Sequence, residues 1–173
     1  MTQPRFTTAR LLLRPRSLAD TEACLAMDRE PEVTRLIDGP WDGAAAHRGF
    51  IEARTRGPWP PGLGYWTIEG DGGFLGWVLL IPEDGTGPEV EIGWRLRRVA
   101  WGQGIATEAA APLLPHAFAG LGLARIVAGI HPANQPSLGV ARKLGLRPGA
   151  TTGRYNRHIV DRDDWIVAQG GTP

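Results

Sequence analysis

The chain has 173 residues, 42% hydrophobic and 21% charged, with a formal net charge of +1. That length fits one domain spanning residues 1–173, able to bury roughly 70% of the surface exposed by the unfolded chain. A balance so close to neutral gives no electrostatic mandate for nucleic acid or a membrane surface, and the sequence shows neither a signal peptide nor an apolar run able to span a bilayer.

In chain order, Thr8 to Pro15 reads as a strand stopped by proline. Ser17-Leu-Ala-Asp20 then marks a helix start, with Ser17 as cap and an acid in the first turn. Leu18, Cys24, Leu25 and Met27 form that helix's apolar stripe, and Pro31 ends it. As the only cysteine, Cys24 excludes an internal disulfide, suits a reducing cytoplasm and reads as core rather than nucleophile. A second helix is expected from Ala44 to about Arg56. Gly57 to Gly64 is a loop by composition. Strands follow at Tyr65–Glu69 and Phe74–Ile81, joined through the hairpin signal Gly70-Asp-Gly-Gly73.

The central stretch runs from Glu89 to Ala109. Val90, Ile92, Trp94 and Leu96 alternate with more polar residues, a period of two that predicts a strand. Ile105-Ala-Thr-Glu-Ala109 favours a helix, and Trp101-Gly-Gln-Gly104 lies between. A strand, a glycine turn and a helix start make an anion cradle: glycine admits close backbone approach, the first helical N–H groups have no partners, and the helix dipole adds partial positive charge. A dinucleotide fingerprint would require glycine at position 107, where Thr107 stands, and a P-loop would require Gly-Lys-Ser/Thr, whereas the only lysine is Lys143. Pro112 and Pro115 then interrupt the helical run, which must bend or divide there. Leu123–Ile130 is an apolar strand, Asn134 or Gln135 can cap the next helix, and Gly145 suits its end. Two further strands are expected at Arg147–Ile159 and Asp164–Ala168.

Glu91-Ile-Gly-Trp-Arg-Leu96, then Trp101-Gly-Gln-Gly-Ile-Ala-Thr-Glu-Ala109, resembles the acyl-CoA signature of the GNAT acetyltransferase superfamily, in the branch of the ribosomal-protein N-terminal (Rim-type) acetyltransferases. Arg10-Leu-Leu-Leu-Arg-Pro15, Glu30-Pro-Glu-Val33, Asn134-Gln-Pro-Ser137 and Lys143-Leu-Gly-Leu146 extend the resemblance over about residues 6–168. It implies an α/β fold: a mixed, mostly antiparallel sheet of six or seven strands, splayed where the cofactor enters and flanked by about four helices. It also implies acetyl-CoA as co-substrate, transfer of acetyl to a primary amine (a protein N-terminus or small molecule) by direct attack, and a homodimer as in many relatives.

By the same resemblance, Gly102, Gln103, Gly104, Ile105, Ala106 and Thr107 would cradle the pyrophosphate. Val99 replaces the arginine or glutamine usual at its position, and Arg97 and Arg98 stand nearby as a substitute charge or as solvated surface. Backbone N–H groups around Trp94 and Leu96 would polarise the thioester carbonyl. Asn134 would contact the pantetheine arm or cap its helix. Glu91 matches a proposed general base, or is a charge on an exposed strand face. If it is the base, Glu91→Gln is expected to lower turnover most at low pH. Ser137 would hydrogen-bond the sulfur, or is a helix-cap residue. The tyrosine that many members use as acid is absent from this segment, so a non-catalytic acyl-CoA-binding module stands as the alternative. The four histidines lack metal-ligand spacing, so no metal is expected, and an arginine-rich nucleic-acid binder is disfavoured by the charge balance. Trp77, Trp94 and Trp165 read as strand core, while Trp41, Trp59 and Trp66 lie in or beside loops that would wall an acceptor pocket, together with residues near Ile37 and Arg154–His158.

Overall fold

The computed structural model describes residues 2–41 and 43–172. Eight strands form one sheet in the order β1-β2-β3-β4-β5-β6-β8-β7. These are β1 (Phe6–Thr7), β2 (Leu12–Pro15), β3 (Gly64–Gly70), β4 (Gly73–Pro82), β5 (Val90–Leu96), β6 (Arg125–Ile130), β7 (Arg147–Thr152) and β8 (Tyr155–Asp161). Every neighbouring pair is antiparallel except β5 and β6. A parallel pair needs a crossover, and the chain between Leu96 and Arg125 supplies it in helical pieces.

Two layers of helix cover the sheet unequally. On one face lie α4 (Ile105–Ala110), α5 (Leu113–Pro115), α6 (Gln135–Lys143) and α7 (Arg162–Ala168). Ile105, Leu113, Phe118, Ala141 and Leu144 meet Leu13, Trp66, Ile68, Val78, Leu80, Ile92 and Ile126 there, forming the main core. On the other face α1 (Thr21–Asp28) and α3 (Ala44–Arg56) bury a smaller cluster, Cys24, Leu25 and Ile51, against Phe74 and Trp77. A short turn of helix, α2 (Pro31–Thr34), links them toward the sheet's open end. This second layer covers the β3–β4 side and leaves the face of β5 and β6 open.

The helix at Ala44–Arg56 forms with the expected limits, stopped by Gly57 at φ +75°. The Gly70–Gly73 hairpin also forms. Three expectations need correction. Thr8–Arg10 turns rather than extends, with Thr8 N–H donating to Leu11 O, and this separates β1 from β2. Arg147–Ile159 is a hairpin turning at Gly153 (φ +62°), not one strand. Together with the loss of the strand expected at Asp164–Ala168, these two changes bring the strand number from the seven expected to eight. Asp164–Ala168 belongs to helix α7: Trp-Ile-Val has strand propensity, but Asp161 at the cap with Asp163 and Asp164 in the first turn sets a helix start. Trp165 accordingly packs from a helix onto Phe118, ring centroids 5.5 Å apart. Pro112 and Pro115 break the hydrogen-bond ladder without ending the path. Ala111, Pro112, Pro115 and His116 all keep helical dihedrals, and the run closes with a π-helical turn at His116–Gly120.

Candidate active site

β5 and β6 share only two register pairs, Val90↔Ile126 and Glu91↔Val127. Beyond Glu91 they part, and the wedge between them opens into two cavities. Backbone alternation determines what faces this gap. Arg97 N–H bonds Leu75 O on β4 at 2.9 Å; with a period of two, Trp94 and Leu96 turn theirs away from β4, toward the space β6 has vacated.

The first cavity, about 590 Å³, lies between the end of β5, α2, the glycine turn and the starts of α4 and α6. Gly102 (φ +74°) and Gly104 (φ +77°) both occupy the left-handed region, where a side chain costs ~1–2 kcal/mol. The N–H groups of Gly102, Gln103 and Gly104 have no backbone partner among the described residues, and those opening α4 have none within their own helix. Arg10 braces the turn from outside: its Nη2 donates to Gln103 O at 3.0 Å, and its Nε donates to Glu108 Oε2 at 2.7 Å. No sequence signal pointed to that role.

Of the residues singled out from sequence, Trp94, Leu96, Arg98, Gly102, Gly104, Ile105, Ala106, Thr107 and Asn134 line this cavity. Arg97, Val99 and Gln103 stand outside the lining. Arg97 pairs with Glu30 at 3.5 Å, Val99 is 65% exposed, and Gln103 Nε2 donates to Val99 O at 2.8 Å. Positive charge at the rim comes from Arg98 together with Arg35 and Lys143, the last two not assigned to the site from sequence.

The second cavity, about 520 Å³, opens on the opposite face of the sheet. Its floor follows the register: Trp77–Arg95 in one row, Tyr65–Leu79–Gly93 in the next, then Ile81–Glu91. Glu91 is half-buried there. Burial pushes its carboxyl up to about 7, reinforced by Glu83 and Asp84 and opposed by Arg54 and a hydrogen bond from Gly129 N–H. Arg95 donates to Asp28 Oδ1 at 2.9 Å, and Asp28 Oδ2 meets His47 Nε2 at 3.0 Å. Trp41 and Trp77 lie against the Arg95 guanidinium at 5.3 and 5.0 Å. Asp38, from the loop after α2, receives the Tyr155 hydroxyl at 3.2 Å and pairs with Arg154, so the β7–β8 hairpin meets that loop at the cavity rim.

The tryptophans separate differently from expectation. Trp66 is fully buried on β3, its indole donating to Pro4 O, and is core. Trp77 and Trp94, expected as core, do pack against core clusters and also wall the cavity. Trp59 packs beside Tyr65 and is not part of the lining, and Trp41, also outside it, lies against Arg95 and His47 and donates its indole to Ile37 O at 3.0 Å. Cys24 is buried, and desolvation pushes its thiol up to about 11, which suits packing rather than nucleophilic work. Among the described residues no group of three or more His, Cys, Asp or Glu is placed to hold a metal, and no helix is long and apolar enough to cross a membrane.

The two cavities share Leu36, Ile37, Trp94, Arg95, Asn134 and Ser137. At this junction Asn134 Oδ1 caps α6 by accepting Ser137 N–H at 3.2 Å, which leaves its amide NH₂ for a ligand. Trp94 Nε1 donates to Ser137 Oγ at 3.3 Å, leaving the serine O–H as a donor.

A family model, the acetyltransferase (GNAT) domain, matches residues 10–147. The chain belongs to the GNAT acetyltransferase family. As a GNAT protein it is an acetyl-CoA-dependent N-acetyltransferase. It is 29% identical to the FsC-acetyl coenzyme A-N(2)-transacetylase of Aspergillus fumigatus, over 96% of this chain and 80% of that one. It is 30% identical to the N-acetyltransferase p20 of Bacillus licheniformis, over 81% and 80% of the two chains. An acetyltransferase structure from Agrobacterium tumefaciens superposes with TM-score 0.74 at 29% identity, covering 92% of this GNAT chain and 95% of the other. A Bacillus anthracis GNAT structure superposes with TM-score 0.76 at 21% identity over 92% and 99%, a likeness of fold alone.

Proposed function

We propose that the first cavity holds acetyl-CoA, the second holds a primary amine, and the acetyl group passes between them by direct attack at their shared wall. The observation that carries this reading is the junction itself: the two cavities lie on opposite faces of the sheet and meet where β5 parts from β6. The glycine turn and the start of α4 hold the pyrophosphate with backbone N–H groups, and Arg98, Arg35 and Lys143 add charge. Trp94 and Leu96 offer backbone N–H groups to the thioester oxygen, where negative charge develops as the amine adds. Glu91 accepts the proton that the amine nitrogen must lose, directly or through water; a carboxyl near 7 is matched to that task at neutral pH. As the carbon–sulfur bond breaks, the Ser137 O–H donates a hydrogen bond to the departing thiolate, which takes its proton from solvent. The missing α6 tyrosine, which left a non-catalytic module as an alternative, is thereby replaced by a hydroxyl already oriented by Trp94. A cavity of about 520 Å³ falls within the range for small-molecule sites and favours a small amine over a protein N-terminus. The cytoplasmic setting expected from the sequence goes with this co-substrate.

Calorimetric titration with acetyl-CoA, with CoA and NAD as controls, tests the first half of the reading, and CoA-thiol release across an amine panel tests the second. Micromolar acetyl-CoA binding with amine-dependent thiol release is expected. Acetyl-CoA binding without thiol release to any amine would restore the non-catalytic alternative.

A further inference from the structure

The floor of the acceptor cavity carries a buried positive charge that the transfer chemistry does not use. Arg16 is 8% exposed and lines the cavity. Its guanidinium lies 3.8 Å over the Tyr65 ring, with Trp77 at 6.0 Å. Its Nε has no hydrogen-bond partner, and Nη2 reaches only the Ile51 carbonyl at 3.5 Å. Among the described residues no carboxylate forms an ion pair with it. The nearby acids are committed elsewhere. Asp20 accepts Arg14 on both oxygens, at 2.7 and 2.8 Å, and also the Ser17 N–H and the Thr67 hydroxyl. Asp28 is shared between Arg95 and His47. Arg95 also faces Arg16, and burial disfavours the Arg16 charge before any neighbour acts. An uncompensated buried cation is costly, and this one faces a cavity.

We propose that Arg16 is the anion subsite of the acceptor cavity, so that the acceptor is a small amine carrying a carboxylate at its far end. The inference rests on the reading of the second cavity as the acceptor site. The register gives the spacing. Arg16 N–H bonds Tyr65 O at 2.8 Å, and Tyr65 faces Leu79, which faces Gly93 beside the junction. Strands lie ~4.8 Å apart, so the guanidinium over Tyr65 sits roughly 10 Å from Gly93. An arginine–carboxylate contact takes up about 3 Å of that. The remaining ~7 Å corresponds to about five or six bonds in an extended chain, the separation in a dipeptide or 6-aminohexanoate rather than in an α-amino acid. Arg16 then stands at the carboxylate end and Glu91 at the ammonium end, where Arg54 also lines the cavity and Glu83 is paired with Arg157 at 3.3 Å.

The test is a ladder of ω-amino acids from glycine to 6-aminohexanoate, with simple dipeptides, each paired with its carboxamide and followed by CoA-thiol release. Wild-type protein should prefer the longer acids over their amides by about ten- to a hundredfold in kcat/KM. Arg16→Met should abolish that preference, bringing kcat/KM for each acid to that for its amide, with acetyl-CoA affinity retained as the check on folding. Arg16→Lys should retain part of it. Equal use of acids and amides by the wild type, or a preference that survives Arg16→Met, would overturn the proposal. If no amine is acetylated, the transfer reading has failed, and the subsite is judged by calorimetry with the same acids. Binding to the wild type and not to Arg16→Met sustains it, and binding to neither overturns it.

Discussion

Replacing Glu91 with glutamine separates the carboxylate's charge from its shape, and the structure fixes what should follow. The carboxyl is pushed from 4.5 to about 7 in the folded protein. Each unit of displacement corresponds to about 1.36 kcal/mol. The direction is that of an acid whose ionisation folding opposes: below pH 4.5 both states are protonated and nothing is lost, and the penalty then grows up to pH 7. It amounts to roughly 1 kcal/mol at pH 5 and roughly 3 kcal/mol at pH 8. Glu91→Gln carries no such penalty, so its stability advantage should widen by about 2.5 kcal/mol between these pH values. For a chain of this size that is roughly 5–10 °C in Tm, measurable by differential scanning fluorimetry in matched buffers. In kcat/KM the wild type should show a limb near pH 7 that the variant lacks, with the variant ten- to a hundredfold slower at pH 8 and nearly equal below pH 6. The elevated carboxyl thus reverses the low-pH maximum expected from sequence, because a protonated Glu91 cannot take a proton. Melting curves that run parallel from pH 5 to 8, with a rate ratio flat across pH, would refute both the buried charge and the base.

Gly104→Glu sets a side chain at φ +77° and a negative charge against the expected pyrophosphate; calorimetry should find acetyl-CoA binding lost in a folded protein, and unchanged affinity would remove the cradle. Ser137→Ala should lower kcat about tenfold or more with acetyl-CoA affinity unchanged, and the loss should be greatest for the thioester with the poorest leaving thiol. Asp28→Ala strips Arg95 and His47 of their shared carboxylate. Chemical denaturation should report a loss of ~3–5 kcal/mol, the usual result of leaving one buried ionic partner alone.

Local signals carried far into this fold. Ala44–Arg56, the Gly70–Gly73 turn, β5 and the glycine turn were legible because each is set by residues adjacent in sequence. Tyr65 and Trp66 show where legibility ended. The sequence places both beside a loop, and only the pairing of β3 with β4 determines that Trp66 points into the main core while Tyr65 floors a cavity. Arg16 was passed over for the same reason. Its environment comes from Tyr65, Trp77 and Ile51, dozens of residues away, and its significance lies in the lack of an ionic partner, which no motif records. In α7 a strand-like Trp-Ile-Val outweighed the acids before it in the sequence reading; in the structure the segment is helical, with Asp163 and Asp164 in its first turn.

The short pairing of β5 with β6 has a consequence for how the protein avoids itself. A sheet ordinarily has two borders, here β1 and β7, where unsatisfied backbone groups invite association with other chains. This sheet has a third border in its interior, along the stretch of β5 beyond Glu91. α4 and α6 both line its mouth, so this border lies inside the fold and not along an outer edge. The backbone hydrogen-bonding capacity that would be an aggregation hazard on the outside is thereby held for a ligand on the inside.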